Sequence, residues 1–272
     1  MENTLKFLSF LSLAIIIIGC NERKENFKPN QKDGWKTVSQ IEKQIDNIIF
    51  TFPENGFANE NRERLVSECF EAMKYDSELI KLEEFNDTIF IRILPSREAM
   101  IPLTGNTPSG SAYPHIKTLY VVANDSTRPP IKHELMHLIA MLEWNYPPAS
   151  STWMNEGLGT FAENNCSGWT VAQIYRYFLE TDQLISIDLL KADFYKQPEN
   201  FAYHQSAYIV EYLLANYGVD QFEQVWKGGF GKFEEVYGLP FEQLKTDLEK
   251  DLIEKMPEVP EIDRQTFYKN CK

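Results

Sequence analysis

The chain has 272 residues, of which 43% are apolar and 13% aromatic, and its formal net charge is -13. This composition supports a buried core and excludes a disordered or collagen-like chain. The acidic balance argues against a nucleic-acid partner, because binding to a phosphate backbone requires clustered Lys and Arg. We therefore expect a globular protein that binds no nucleic acid.

The N-terminus resembles a bacterial lipoprotein signal. An apolar run over residues 7–18 is too short to span a bilayer comfortably, and it ends in the sequence IIGC, where small Gly19 precedes Cys20. The resemblance implies cleavage before Cys20, a lipid anchor on that cysteine, and a location in the bacterial cell envelope, on the periplasmic or cell-surface side. The alternative is an uncleaved N-terminal anchor. Both interpretations tether the protein to a membrane.

The remainder of the chain predicts one domain. After a signal peptide over residues 1–19, the polar residues 20–34 are typical of a flexible stalk, and residues 35–272 are predicted to form a single domain. We expect a sheet-containing lobe over residues 35–127, a helical lobe over residues 128–272, and a monomer.

The predicted elements of this domain change from mixed to helical along the chain. Apolar residues recur at spacings of three and four over residues 38–49 and 62–85, which predicts two helices. Residues 88–95 and 117–123 are rich in β-branched and aromatic residues and predict strands, whereas residues 102–115 between them predict a loop. Six helices follow, over residues 131–144, 152–164, 170–180, 203–217, 220–226 and 241–255. A small mixed sheet followed by helices is typical of the α+β class.

The cysteines show no metal-site spacing. Besides Cys20 the chain contains Cys69, Cys166 and Cys271, which is an odd number. At most one disulfide can form among these three, and buried free thiols are the expected state.

Half of the four histidines lie in the sequence HELMH, which begins at His133. Pro129 and Pro130 mark the start of a helix there, so His133 and His137 lie four residues apart on one helical face and can converge on one ion. Glu134 lies beside them without being a ligand. A zinc hydrolase needs two imidazole nitrogens at about 2.0–2.1 Å from the metal and a carboxylate that takes a proton from bound water.

A catalytic zinc also needs a third protein ligand. Glu156 lies 19 residues after His137, in STWMNEGLGTFAENN near the start of a second predicted helix. That helix can return beside the first and bring the carboxylate to the same ion. The predicted metal ligands are therefore His133, His137 and Glu156.

HELMH followed by WMNEGLGTF resembles the gluzincin metallopeptidases, and among them the aminopeptidase-N branch and the shorter MA-like peptidase domains. The resemblance implies a zincin-like fold whose helical half carries zinc bound by His133, His137 and Glu156. It also implies that Glu134 is the general base and acid. Thr160 stands where thermolysin-type enzymes have an Asp that orients one ligand histidine. The sequence does not identify the group that replaces this Asp.

The resemblance extends downstream. Residues 202–229 and 237–252 are similar to later helices of the MA-like domains, and by position Tyr203 matches the tyrosine that donates a hydrogen bond to the oxyanion. Such a phenol stabilises the transition state more than the substrate. His204 is the second choice for this catalytic role, as an imidazolium.

Two departures from the aminopeptidase branch narrow the expected function. The Gly-x-Met-Glu-Asn strand that anchors a free amine is absent from residues 109–122, and so few residues precede this stretch that the large N-terminal β-sandwich is also missing. An endopeptidase is therefore favoured over an aminopeptidase. Residues 110–122 are expected to provide an edge that pairs with an extended peptide.

We therefore expect a zinc-dependent peptidase that acts on peptides or proteins outside the cytoplasm. The alternative is a membrane-tethered binding protein that keeps zinc structurally or has no turnover. A binding protein need not retain Glu134, so its presence favours the enzyme.

Overall fold

The computed structural model describes the backbone of residues 40–270 and the side chains of residues 40–267. The predicted signal peptide, the stalk with Cys20, and Cys271 lie outside this range. Within it, the helices are too short or too polar to cross a bilayer.

Five strands form one mixed sheet: β1 (Gln40–Ile45), β2 (Ile48–Pro53), β3 (Ile89–Leu94), β4 (Gly110–Tyr113) and β5 (Thr118–Val122). The strand order is β1-β2-β3-β5-β4, with β2, β3 and β5 parallel and the two outer strands antiparallel to their neighbours. The strands predicted over residues 88–95 and 117–123 are confirmed. The loop predicted over residues 102–115 is wrong in part, because it contains the edge strand β4.

The helix predicted over residues 38–49 is also wrong, because residues 40–49, the part of this range that the structure describes, belong to the β1–β2 hairpin. Ile41 and Ile45 are four residues apart, and this spacing places side chains on one face of a strand as well as of a helix. The decisive feature is the two-residue turn, where Asp46 adopts a left-handed conformation with φ 51° that Asp tolerates.

The helices are α1 (Phe57–Glu60), α2 (Arg62–Leu79), α3 (Ile101–Thr104), α4 (Ile131–Glu143), α5 (Thr152–Glu163), α6 (Val171–Glu180), α7 (Ile187–Asp193), α8 (Glu199–Tyr217), α9 (Val219–Gly228), α10 (Phe233–Tyr237), α11 (Phe241–Lys255) and α12 (Arg264–Asn270). The six helices predicted beyond residue 130 are all present. The helix predicted over residues 62–85 ends earlier, at Leu79, and α8 begins four residues before the predicted start. The α+β class, with a small mixed sheet and a mainly helical second half, is confirmed.

The central helices pack closely. One face of the sheet lies against α2 and α4, α4 also contacts β4 and α5, and α5 packs against α8. A Cβ atom on Gly157 of α5 would lie 2.8 Å from the backbone oxygen of Ser206 in α8, so these two helices approach too closely for any side chain there. This contact fixes the position of α5 against α8.

The cysteines follow the sequence expectation only in part. Cys69 on α2 is a buried free thiol, and burial raises its pKa above the usual range. Cys166, which we expected to be free, is disulfide-bonded. Its segment packs with residues of α6 and α12 in a small apolar cluster.

Asp76 occupies a core position of α2. It continues the buried face formed by Leu65, Cys69 and Ala72, and neither of its carboxylate oxygens has a hydrogen-bond partner in the described part of the chain. Burial raises the pKa of Asp76 to about 9, although the charge of Lys132 opposes this shift. The carboxyl group is therefore neutral in the folded protein at pH 7.

This shift predicts how stability depends on pH. The ordinary pKa of Asp is about 3.9, so between pH 4 and pH 9 the unfolded chain is ionised at Asp76 while the folded chain is not. The free energy of unfolding then falls as pH rises through this window, by at most about 1.4 kcal/mol per pH unit. We expect Asp76→Asn, which does not titrate, to unfold at a higher temperature than the unmodified protein, by a margin that widens from pH 5 to pH 8.

Circular-dichroism melts at the two pH values measure this margin, and Asp125→Asn, at an exposed position, is the control. A margin that stays constant or shrinks as pH rises would contradict the assignment of Asp76.

Candidate metal centre

The three predicted ligands converge from α4 and α5. The Nε2 atoms of His133 and His137 lie 2.9 Å apart, and Oε2 of Glu156 lies 3.4 Å and 3.3 Å from them. Two ligands of a tetrahedral ion with bonds of about 2.0–2.1 Å have a similar separation, roughly 3.3 Å. Two imidazole nitrogens and a carboxylate oxygen in this arrangement fit a metal ion.

A glycine of α5 lies directly beneath the two imidazoles. A Cβ atom on Gly159 would lie 2.9 Å from Cε1 of His137 and 3.1 Å from Cε1 of His133. Any side chain at this position would therefore displace both rings. The second glycine of the sequence NEGLG thus has a role that the motif alone does not reveal.

The two carboxylates of the centre differ in ionisation. Burial opposes the ionisation of Glu156, but nearby His137 and hydrogen bonds from both imidazoles outweigh it and hold the pKa of Glu156 well below its usual range. Burial raises the pKa of Glu134 to about 7, against the opposing effect of His133. Glu156 is thus an anion suited to bind a metal, while Glu134 can take up and release a proton near neutral pH.

The edge strand β4 lies against Glu134. A Cβ atom on Gly110 would lie 2.6 Å from Cγ of Glu134, and the backbone N–H of Ala112 donates a hydrogen bond to the Glu134 carboxylate. Alternate residues of an antiparallel edge strand direct their backbone groups outward. The backbone N–H of Val122 in β5 donates a hydrogen bond to the carbonyl oxygen of Ser109, so Ser109 directs its backbone groups into the sheet. Gly110 and Ala112 therefore direct their backbone groups outward, to the cleft.

A cleft of about 1130 Å³ contains the metal ligands, Glu134 and β4. Its walls include Arg97, Arg128, Met141 and Tyr146. His115 is exposed and stacks its ring on Tyr146 at 6.3 Å between centroids. The cleft is larger than a drug-sized pocket of roughly 300–1,000 Å³.

The two residues considered for the oxyanion have different surroundings. Tyr203 lines the cleft with its ring 6.2 Å from that of His133, and burial together with the charge of Glu156 raises its pKa, so its hydroxyl stays protonated. His204 also borders the cleft, but its Nδ1 lies 2.7 Å from the backbone oxygen of Asn200 and burial lowers its pKa to about 4. An imidazolium at His204 is therefore not expected at neutral pH.

Sequence reasoning missed Tyr195. Its hydroxyl donates a hydrogen bond of 2.7 Å to Oε1 of Glu156. Tyr195 lies in a 3-10 turn between α7 and α8, in the sequence ADFYKQPEN, which resembles no motif. Proximity in space is the signal that identifies it.

Thr160 stands where thermolysin-type enzymes have an Asp that orients a ligand histidine, but Thr160 makes no such hydrogen bond. Its Oγ1 atom and the Nδ1 atom of His137 are both buried and lack a hydrogen-bond partner in the described part of the chain. The orientation of His137 therefore depends on packing, of which the contact with Gly159 is one part.

The sequence model of one protein family matches residues 104–249, more than half of the chain. The chain belongs to the Peptidase MA superfamily. The range that matches the Peptidase MA superfamily includes β4, α4, α5 and Tyr203. A search of curated proteins found no match. Membership of the Peptidase MA superfamily, together with the cluster of His133, His137 and Glu156, makes this a metallopeptidase-like domain with a site for a metal cofactor.

The position of Gly159 predicts the effect of one added methyl group. Gly→Ala in a helix ordinarily stabilises it by about 0.5–1 kcal/mol, but at Gly159 the new Cβ would displace the imidazoles of His133 and His137. We expect Gly159→Ala to weaken zinc binding by about 10-fold or more, as changes next to metal ligands typically do. Competition with a chromogenic chelator measures the dissociation constant.

Gly231→Ala is the matched control, because a Cβ atom there meets nothing within 4 Å. Equal zinc affinities for the two variants would show that the imidazoles do not lie against Gly159.

Proposed function

We propose that the protein is a zinc-dependent peptidase of the gluzincin type. The observation that carries this proposal is the convergence of His133, His137 and Glu156, with the carboxylate of Glu134 beside them in the same cleft. Two nitrogen ligands and one carboxylate, with a further position open to water, are a donor set of catalytic zinc. Glu134 is a carboxylate that can take up and release a proton near neutral pH, and a purely structural metal site does not need such a group.

Glu134 and Tyr203 are assigned complementary roles. Bound zinc would act as a Lewis acid that acidifies a water molecule and polarises the scissile carbonyl. Glu134 takes the proton from the attacking water and returns it to the leaving amine. Tyr203 donates a hydrogen bond to the carbonyl oxygen as negative charge develops on it, which lowers the energy of the transition state.

The substrate is proposed to be an extended peptide or protein segment. The outward backbone groups of Gly110 and the carbonyl group of Ala112 offer an edge with which a peptide can pair as an added strand. The sequence of β4 is GSAY, without a carboxylate for a free amino terminus. This favours an endopeptidase over an aminopeptidase.

We propose from the sequence alone that the enzyme acts outside the cytoplasm, tethered through lipidated Cys20. We expect the unmodified protein to incorporate a radiolabelled fatty acid and Cys20→Ser to incorporate none. Label on Cys20→Ser, or no label on the unmodified protein, would refute this tether.

The catalytic proposal is tested with Glu134→Gln. The amide keeps the size of the side chain but cannot accept the proton, so we expect turnover of a fluorogenic peptide library to fall by about 10²- to 10⁴-fold. Zinc content should be unchanged, because Glu134 is not a ligand. Glu143→Gln, at the exposed end of the same helix, is the control.

Cleavage by Glu134→Gln at the unmodified rate would refute the mechanism. Zinc binding by the unmodified protein without any cleavage of the library would instead favour a binding protein with structural zinc.

A further inference from the structure

The two oxygens of the Glu156 carboxylate have different partners. Oε2 faces the Nε2 atoms of His133 and His137 at 3.4 Å and 3.3 Å, whereas Oε1 accepts the hydrogen bond from Tyr195 at 2.7 Å. A hydrogen bond to an ionised carboxylate is stronger and more directional than one between neutral groups. The bond from Tyr195 therefore opposes rotation of the carboxylate and keeps one oxygen directed toward the imidazoles.

The ring of Tyr195 contributes little to the core. Tyr195 is 71% exposed, and its ring contact is with neighbouring Phe194, at 5.5 Å between centroids. Phe194 is buried and packs against Tyr203 at 5.0 Å, so it fixes the turn that carries Tyr195. Phe194 thus anchors the turn, and the turn places the hydroxyl of Tyr195 at the metal centre.

We propose that Tyr195 is a positioning residue of the metal centre, which holds Glu156 so that it offers one oxygen, Oε2, to the metal. Tyr195 acts through Glu156 and takes no part in proton transfer. Loss of its hydroxyl would free the carboxylate to rotate and to offer either or both oxygens. The proposal rests on the zinc site of the proposed function, but it does not depend on peptide hydrolysis.

The test compares zinc binding in Tyr195→Phe and in the unmodified protein. The substitution removes the hydroxyl and leaves the exposed ring, so the apo protein should melt at an unchanged temperature. Loss of a group that orients a metal ligand typically weakens metal binding about 10- to 100-fold. We expect the zinc dissociation constant, measured by competition with a chromogenic chelator, to rise by at least about 10-fold.

Two further variants sharpen this comparison. Tyr195→Ala should weaken zinc binding as much as Tyr195→Phe, because the hydroxyl rather than the ring carries the effect. Tyr212→Phe, on α8 and away from the lining of the cleft, should bind zinc as the unmodified protein does. A spectroscopic readout accompanies the affinities: the visible absorption of the cobalt-substituted protein should change in both Tyr195 variants and stay the same in Tyr212→Phe, since it reports the ligand geometry.

The outcomes separate this inference from the proposed function. If the unmodified protein binds no zinc, both are overturned. If it binds zinc and Tyr195→Phe binds zinc within about twofold or more tightly, only the positioning role of Tyr195 is overturned.

Discussion

The close approach of α5 to both α4 and α8 is the constraint on which the metal centre depends. Gly157 leaves room for the backbone of α8, and Gly159 leaves room for the imidazoles of α4. With these contacts, Glu156 reaches within 3.4 Å of both Nε2 atoms from a helix rather than from a loop. Ligands on packed helices keep their geometry better than ligands on loops, which is what a catalytic metal requires.

Burial opposes the ionisation of Asp76, Glu134 and Glu156, and the neighbours of each carboxyl group decide its pKa. Asp76 has no hydrogen-bond partner in the described part of the chain, and its pKa rises to about 9. Glu134 has one nearby imidazole and a backbone N–H, and its pKa is about 7. Glu156 has two imidazoles, which hold its pKa well below its usual range. Such a separation of pKa values suits Glu156 to bind a metal and Glu134 to exchange a proton.

Much of the site followed from the sequence, because its ligands lie on helices with strong local signals. The spacing of His133 and His137 fixes their common face, and the NEG sequence places Glu156 on the next helix. Tyr195 could not be predicted, since its contact with Glu156 spans 39 residues and depends on how a short turn packs.

Long secondary-structure elements were predicted correctly from the sequence, whereas the short strands β1 and β4 were missed. The bounds of α11 agree with the prediction, whereas β1 was read as a helix because a spacing of four residues fits both structures. The edge strand β4 was not predicted, because it lies in a stretch rich in Gly and Ser, which do not favour strands. Pairing with β5 stabilises it as a strand. The disulfide of Cys166 gave no signal in the local sequence.

The central claim is that His133, His137 and Glu156 together bind one zinc ion. An X-ray absorption spectrum at the zinc edge of the metal-loaded protein tests it most directly. The account predicts two imidazole nitrogens and light oxygen ligands at about 2.0–2.2 Å, and His137→Ala should lose the bound zinc. A sulfur shell at about 2.3 Å, or a spectrum unchanged in His137→Ala, would contradict it.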